Sequence, residues 1–184
     1  MKVYLPPSTT WTSAIDHKLY ETANVTVNDS RTIPPIFFRS GSIIPMAIVG
    51  SIAVRNTKHL RQLPIRLAIY PHHDQAEGEL YWDDGESLDS IEKKKYNLYE
   101  FKVFNRTIQI NIVHFGYPAK RLVLEQMHLY GQFEPSAATH KLQLEDKTDV
   151  VGKVDNGCVT FSGLNLNLAQ LQSSSIKFTY LFDN

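Results

Sequence analysis

The chain has 184 residues, and its 19 lysines and arginines balance its 19 aspartates and glutamates. A net charge of zero gives no electrostatic attraction to nucleic acid or to an anionic membrane surface, so neither is an expected partner. No apolar run approaches the roughly 20 residues that cross a bilayer as a helix, and the first residues lack the apolar core of a signal peptide. The single cysteine, Cys158, excludes an intrachain disulfide and a cysteine-based zinc site.

Residues 1–54 contain few strand signals for their length. The segment 47–62 is irregular and ends in a polar, basic stretch, so we expect a domain boundary near residue 54. A β-sandwich needs two sheets to bury both inner faces. We therefore expect residues 1–54 to be the later part of a sandwich whose earlier strands are missing, with an exposed sheet edge and apolar face. Residues 55–184 are expected to form a second, complete sandwich.

The rest of the chain alternates apolar and polar residues with the period of two that is typical of half-buried strands. The clearest segments are 63–70, 99–103, 107–113 and 175–182. Segment 121–130 is apolar on both faces and predicts a more central strand. Asn156-Gly157 predicts a two-residue hairpin, and helix is expected only as one short turn within 164–171. The predicted fold class is all-β, built from antiparallel β-sandwiches.

The segment 78–87 carries four acids within eight residues. That composition suggests the carboxylate pair of a glycosidase, which must flank the scissile bond at roughly 5 to 10 Å. Successive residues of a strand point to opposite faces, so Asp83 and Asp84 would not converge on one substrate. A complete small hydrolase that uses Asp83, Asp84 or Glu86 stays an alternative.

Asp84-Gly85 is a strong turn dipeptide, because glycine accepts a positive φ and aspartate bonds to nearby backbone N–H groups. We therefore interpret Asp83, Asp84 and Glu86 as a solvated turn. The ligand spacing of a calcium loop is absent here. His72-His73 also suggests a metal site, but neighbouring histidines at a strand end should point apart and a third ligand is not evident. No metal or cofactor is expected.

Three stretches of the sequence resemble one known family. They are Val3-Tyr4-Leu5-Pro6 with Trp11, then segment 33–45, then segment 76–87. In order and spacing they are similar to the C-terminal region of family 31 glycoside hydrolases, in the group of maltase-glucoamylase, sucrase-isomaltase and lysosomal α-glucosidase. Segments 159–164 and 178–180 are similar to the last domain of that group. The motif residues that match are Arg39, Gly41, Pro45, Asp83, Asp84 and Gly85.

The resemblance implies that residues 1–54 end the proximal C-terminal β-sandwich and that residues 55–184 form the distal one. It implies the catalytic (β/α)₈ barrel as the partner of this chain. The family's nucleophile and general acid lie in barrel motifs that this sequence lacks, so no catalytic residue and no activity are expected of this chain alone. The implied function is non-catalytic: the chain packs against and stabilises a barrel that hydrolyses O-glycosyl bonds.

A stand-alone carbohydrate-binding module is the alternative function, with oligosaccharide as the ligand. Trp11, Tyr81 and Trp82 could stack on sugar rings, although packing is favoured because aromatic residues bury large apolar areas. Arg39 follows an apolar run and could pair with a carboxylate of the barrel.

Three sequons, at Asn24, Asn28 and Asn105, are the remaining signal. They matter only for a protein of the secretory pathway. With the resemblance, they predict a lysosomal, extracellular or cell-surface parent enzyme that is a glycoprotein.

Overall fold

The computed structural model describes residues 2–21, 23–27, 34–131, 139–144, 148–171 and 174–183. Its strands, in chain order, are β1 (Lys2–Tyr4), β2 (Trp11–Ser13), β3 (Leu19–Tyr20), β4 (Asn24–Thr26), β5 (Phe37–Arg39), β6 (Ser42–Ala47), β7 (Ile65–Tyr70), β8 (Gln75–Trp82), β9 (Asn97–Phe104), β10 (Thr107–Phe115), β11 (Val123–Tyr130), β12 (Thr139–Leu144), β13 (Asp149–Val151), β14 (Lys153–Asp155), β15 (Cys158–Asn167) and β16 (Ser175–Asp183). Helix is confined to α1 (Thr57–Leu60) and a 3₁₀ turn (Leu168–Gln170) in this part of the chain. The all-β fold class is confirmed.

Eleven strands form one sheet, in the order β13-β12-β16-β10-β9-β8-β6-β7-β11-β15-β14. Neighbours are antiparallel except the pairs β7–β11 and β6–β8, which are parallel. The two ends of this order are consecutive in the chain and are separated only by Gly152. The sheet therefore turns back on itself, as a sandwich does where one strand switches layers. A Cβ on Gly152 would lie 2.6 Å from Val159 Cγ1, so this corner has no room for a side chain.

The interior of this closed sheet is the main hydrophobic core. Both layers contribute large side chains that are fully buried, among them Leu67, Ile69, Tyr99, Phe101, Phe161 and Phe178. The period-two pattern produces this arrangement, because one face of each strand points inward.

The strands predicted from alternation are present as β7, β9, β10 and β16, and the central position of β11 is confirmed between β7 and β15. The predicted hairpin is also confirmed: Asn156 and Gly157 have φ values of 46° and 72°, and Asp155 pairs with Cys158. The 3₁₀ turn is the short helical turn expected in 164–171. Segment 47–62 is not wholly irregular, because the Asn56 side chain accepts a hydrogen bond from the His59 N–H (2.8 Å) and starts α1.

Residues 2–40 form two small sheets, β1–β4 and β3–β2–β5, beside the closed sheet. Phe38 stacks on Tyr70 at 4.8 Å between ring centroids, and His17 meets Tyr130 edge-on at 5.0 Å. Four large apolar side chains of this part are exposed; they are Tyr4, Ile15, Leu19 and Ile36. An exposed sheet edge and apolar face left by missing strands stays a prediction.

Strand β6 lies before residue 54 but pairs with β7 along its whole length, from Ser42↔Tyr70 to Ala47↔Ile65. Hydrogen bonds of the closed sheet therefore join residues before position 54 to residues after it. A domain boundary at that residue stays a prediction.

Candidate functional site

The acidic segment begins on β8, which pairs with β9 from Gln75↔Phe104 to Trp82↔Asn97. β8 also crosses β6 very closely: a Cβ on Gly78 would lie 2.0 Å from the Ile43 backbone oxygen. The chain leaves the sheet after Trp82, so the acids at 83–86 lie at the end of a strand and not along it.

The Asp83 carboxylate is half-buried and holds the turn together. Its Oδ1 accepts a hydrogen bond from the Gly85 N–H (2.8 Å), and its Oδ2 accepts from the hydroxyls of Ser90 (2.8 Å) and Tyr81 (3.2 Å). Arg61 adds a charged neighbour, with Nη2 3.9 Å from Oδ1 and a hydrogen bond to the Asp83 carbonyl. With this many partners, the carboxylate is fixed in place as an acceptor.

Asp84 is exposed and caps the other half of the turn. Its Oδ1 accepts from the N–H groups of Glu86 (3.0 Å) and Ser87 (2.9 Å), and its Oδ2 accepts from the Ser87 hydroxyl (2.5 Å). The Ser87 hydroxyl and these N–H groups lower the pKa of Asp84 to about 2. A glycosidase general acid needs a raised pKa, so this environment opposes that role. The predicted turn is present, with Gly85 at a φ of 75°.

Trp82 is half-buried, and the Arg61 guanidinium lies over its ring, 4.0 Å from the centroid. This cation–π contact occupies one ring face. Trp82 lines two neighbouring grooves of about 400 Å³ and about 680 Å³.

Tyr81 points away from Trp82, as alternation requires, and stacks on Tyr96 at 5.1 Å. Trp11 lies in β2, where its Nε1 donates to the Pro6 carbonyl (3.0 Å), and it lines neither groove. The described structure therefore does not gather the three aromatic candidates into one sugar platform, and a sugar contact at each stays a prediction.

No protein-family model matches the chain. Intestinal sucrase-isomaltase of Rattus norvegicus is 32% identical over 140 residues, which are 73% of this chain and 7% of that protein. Lysosomal alpha-glucosidase of Rattus norvegicus is 34% identical over 97 residues, which are 52% of this chain and 10% of that protein. The chain is a homologue of the C-terminal region of family 31 glycoside hydrolases. It spans at most a tenth of the length of these two relatives.

The fold agrees with this family. A crystal structure of a glucosidase II alpha subunit matches 98% of this chain and 21% of its own chain, with a TM-score of 0.76 at 18% identity. That identity is low, so the match establishes the shared fold.

The family-like residues Arg39, Gly41 and Pro45 flank the junction between the small sheets and the closed sheet. Gly41 has a φ of 84° and turns the chain from β5 into β6. Pro45 lies in a part of β6 that pairs only with β7, so its missing N–H breaks no ladder bond to β8. Arg39 is exposed opposite Trp11 and lines a groove of about 530 Å³ with Glu77 and Lys102.

The described residues contain no group of three or more histidine, cysteine, aspartate or glutamate side chains that could hold a metal ion. The expectation that His72 and His73 point apart was wrong. His73 has a φ of 49°, which folds its side chain back, and the two rings lie 4.2 Å apart between centroids.

Two of the three sequon asparagines can be placed. Asn24 is exposed in β4, and Asn105 is exposed in the β9–β10 hairpin turn with a φ of 47°. Asn28 lies outside the described residues. Glycosylation of these positions stays a prediction.

Asn97 was missed from the sequence, although it organises the loop behind the acidic turn. It is fully buried, and its Oδ1 accepts from the N–H groups of Gly116 (3.0 Å) and Tyr117 (2.9 Å) while its Nδ2 donates to the Tyr117 carbonyl (2.9 Å). The partners lie about 20 residues away, so no local motif announces them. Arg61 was missed as a site residue for the same reason.

Proposed function

We propose that this chain serves as the C-terminal β-sandwich region of a family 31 α-glucosidase, where it packs against the catalytic barrel and stabilises it. It contributes no catalytic acid. Hydrolysis of the O-glycosyl bond takes place in the barrel of the parent enzyme, to which the chain is joined. The α-glucosidase name of one relative and the short span of each match support this proposal.

The observation that carries the non-catalytic part is the use of the two aspartates. The Asp83 and Asp84 carboxylates both accept backbone N–H groups of their own turn. A nucleophile or a general acid must instead face the substrate with a free oxygen. In this chain the two acids shape a turn against Arg61, and the Arg61 guanidinium covers one face of Trp82.

The packing part is supported by the N-terminal small sheets. They are short, and four of their large apolar side chains are exposed. Another part of the parent enzyme would cover these side chains where the two pack together.

A domain exchange tests the proposal. In rat lysosomal alpha-glucosidase, the homologous C-terminal region is replaced by this chain, and a second variant lacks that region altogether. We expect the exchanged enzyme to hydrolyse a chromogenic α-glucoside and to survive heating longer than the truncated one. The 184-residue chain alone is expected to show no turnover.

Two controls make this decisive. Simultaneous Asp83→Asn and Asp84→Asn substitutions in the exchanged enzyme should leave kcat unchanged, because neither acid reaches the substrate. An exchanged enzyme no more stable than the truncated enzyme contradicts the packing role. Turnover by the isolated chain contradicts the non-catalytic role.

Carbohydrate binding is the second candidate, favoured by the two grooves that share Trp82. It predicts that a maltodextrin shifts the Trp82 indole resonance in an NMR titration and that Trp82→Ala abolishes the binding. Trp11→Ala is the matched control, since Trp11 lines neither groove. Unshifted resonances at millimolar maltodextrin would remove this candidate.

We further propose that the parent enzyme follows the secretory pathway and carries N-glycans on Asn24 and Asn105. Both asparagines are exposed. The described residues contain no helix long and apolar enough to span a membrane. Expression behind a heterologous signal peptide should give a protein whose mass falls on deglycosylation, and Asn24→Gln with Asn105→Gln should reduce that fall. If the mass of the double variant fell on deglycosylation by as much as that of the parent protein, glycosylation at these positions would be contradicted.

A further inference from the structure

The hairpin between β9 and β10 carries the sequon Asn105-Arg106-Thr107 in its turn. Asn105 and Arg106 have φ values of 47° and 61°, and Phe104 pairs with Thr107 across the turn. Two positive φ values in a two-residue loop are typical of a type I′ turn. Strand β16 holds this turn as well, because the Tyr180 N–H donates to the Arg106 carbonyl (2.8 Å). The sequon therefore lies in a tight turn whose backbone is fixed.

A large aromatic side chain borders this glycan acceptor. Phe104 directly precedes Asn105 and is 57% exposed. It lies on the outward face of the closed sheet, because strand faces alternate and its neighbour Val103 is buried in the main core. The two positions paired with Phe104, Gln75 and Thr107, are polar. A single exposed phenylalanine is ordinary on a protein surface, but this one would gain a neighbour when a glycan is attached to Asn105.

The geometry of the turn brings the acceptor close to the ring. Cross-strand partners share a face and have Cβ atoms about 5 Å apart, so Phe104 and Thr107 lie side by side. Asn105 is exposed, and its Cα is about 3.8 Å from that of Phe104. Its positive φ ends the alternation of faces that a strand imposes. A sugar on Asn105 Nδ2 is therefore within reach of the Phe104 ring.

The chemistry of the first sugar suits an aromatic ring. An N-glycan begins with N-acetylglucosamine, whose pyranose ring presents a face of axial C–H groups. That face is apolar and weakly positive, whereas the face of a phenyl ring carries the negative part of its quadrupole. Stacking the two removes apolar surface of both from water. Because the backbone of the turn is already fixed, little further entropy is lost when the sugar settles on the ring.

We propose that an N-glycan on Asn105 packs the C–H face of its first N-acetylglucosamine on the Phe104 ring, beside Thr107, and thereby stabilises the closed sheet. This inference rests on the proposed glycosylation of Asn105. Attachment forms a bond from Asn105 Nδ2 to the anomeric carbon of an oligosaccharide carried on a lipid pyrophosphate. The bond from that carbon to the pyrophosphate oxygen breaks, and the amide gives up one proton. The sugar is then part of the packed structure and not only a solubilising surface group.

The test compares the chain with and without the sugar. The 184-residue chain is secreted behind a heterologous signal peptide with Asn24→Gln and Asn28→Gln, so that Asn105 keeps the one Asn-x-Ser/Thr sequon. The glycan is trimmed enzymatically to a single N-acetylglucosamine, and the intact mass gives the occupancy of Asn105. The same sequence made in a bacterial cytosol supplies the chain without sugar. We expect the single sugar to raise the melting temperature by about 3 °C.

Two phenylalanine variants decide whether the ring is responsible. In Phe104→Ser, the sugar should change the melting temperature by less than about 1 °C. Phe115→Ser is the matched control, because Phe115 is 50% exposed at the other end of β10, and there the sugar should still add about 3 °C. A sugar effect of equal size in Phe104→Ser, or no effect in the parent chain with Asn105 occupied, overturns the inference and leaves glycosylation standing. A mass that shows Asn105 unoccupied overturns both.

The NMR resonances of the sugar give a second measurement that does not depend on stability. Protons stacked on the face of an aromatic ring are shielded, so the C–H resonances of the N-acetylglucosamine should lie further upfield in the parent chain than in Phe104→Ser. Phe115→Ser should leave them where they are in the parent chain. Sugar resonances that are the same with and without the Phe104 ring would place the sugar in solvent and overturn the inference.

Discussion

Residues 42–183 and residues 2–40 of this molecule are stabilised by different means. The former close an eleven-stranded sheet around one core, with its two edge strands joined through Gly152. The latter form strands of two or three residues that rest on the outside of that sheet, mainly through Phe38 and His17. The closed sheet carries its own hydrophobic core, whereas the small sheets depend on what they touch. A single contact should therefore matter to the whole fold in one region and only locally in the other.

The largest loss of stability is expected from a substitution at the close contact between β6 and β8. Gly78→Ala puts a Cβ 2.0 Å from the Ile43 carbonyl oxygen, and backbone cannot yield as a flexible side chain can. We expect a loss of about 3 kcal/mol or more in the free energy of unfolding, measured by urea denaturation. Glu79→Ala, on the exposed face of the same strand, is the control and should change little. Equal stability of the two variants would show that the crossing is not tight.

The second-largest loss in the free energy of unfolding is expected at Asn97. Asn97→Ala leaves the N–H groups of Gly116 and Tyr117 without their acceptor, so we expect a loss of about 2–3 kcal/mol. Asn111→Ala is the matched control, because Asn111 is only half-buried and bonds to side chains alone: its Oδ1 accepts from Gln109 Nε2 (2.7 Å) and its Nδ2 donates to Glu100 (3.3 Å). Similar losses for both asparagines would refute a special role for Asn97.

These two residues also mark the limit of sequence-based inference. The strands β7, β9, β10 and β16 and the Asn156-Gly157 hairpin were predictable, because alternation and turn chemistry are local. Gly78 looks like a weak point in a strand until β6 is seen to cross it. Asn97 bonds to residues about 20 positions away in the sequence, and only the tertiary fold reveals these contacts.

The acidic turn shows the same division. The turn itself followed from Asp84-Gly85, and the resemblance identified the family. Neither predicted that Arg61, 21 positions before Trp82, would lie over the indole ring. Arg66 is a further case: an arginine in an alternating strand looks solvated, and only the folded structure shows that its Nε is buried and that its Nη2 contacts Met46.

A change of pH should alter the stability of the closed sheet less than either of these substitutions. Burial, with Arg66 and His17 nearby, lowers the pKa of His128 from 6.5 to about 4. Between these two values the unfolded chain binds a proton that the folded chain does not, so stability falls as the pH drops from about 6.5 towards 4. Burial lowers the pKa of His140 too, which adds a slope of the same sign.

We expect the melting temperature to fall by about 3 °C between pH 7 and pH 5 and the slope to flatten in His128→Gln. His73→Asn, at an exposed turn, is the control and should keep the full slope. A slope that is unchanged in His128→Gln would assign the dependence to other groups.

The smallest effect should come from the contact between the two regions. Phe38→Ala removes the ring stacked on Tyr70, at a cost of about 1 kcal/mol. Because the small sheets hold no core of their own, the loss should be local: amide exchange should accelerate at residues 11–20 while residues 97–115 keep their protection. Ile36→Ala, at an exposed neighbour, should accelerate neither. If Phe38→Ala instead lowered protection in both regions equally, the small sheets would be part of one cooperative unit with the closed sheet, and the contrast between the two regions would be lost.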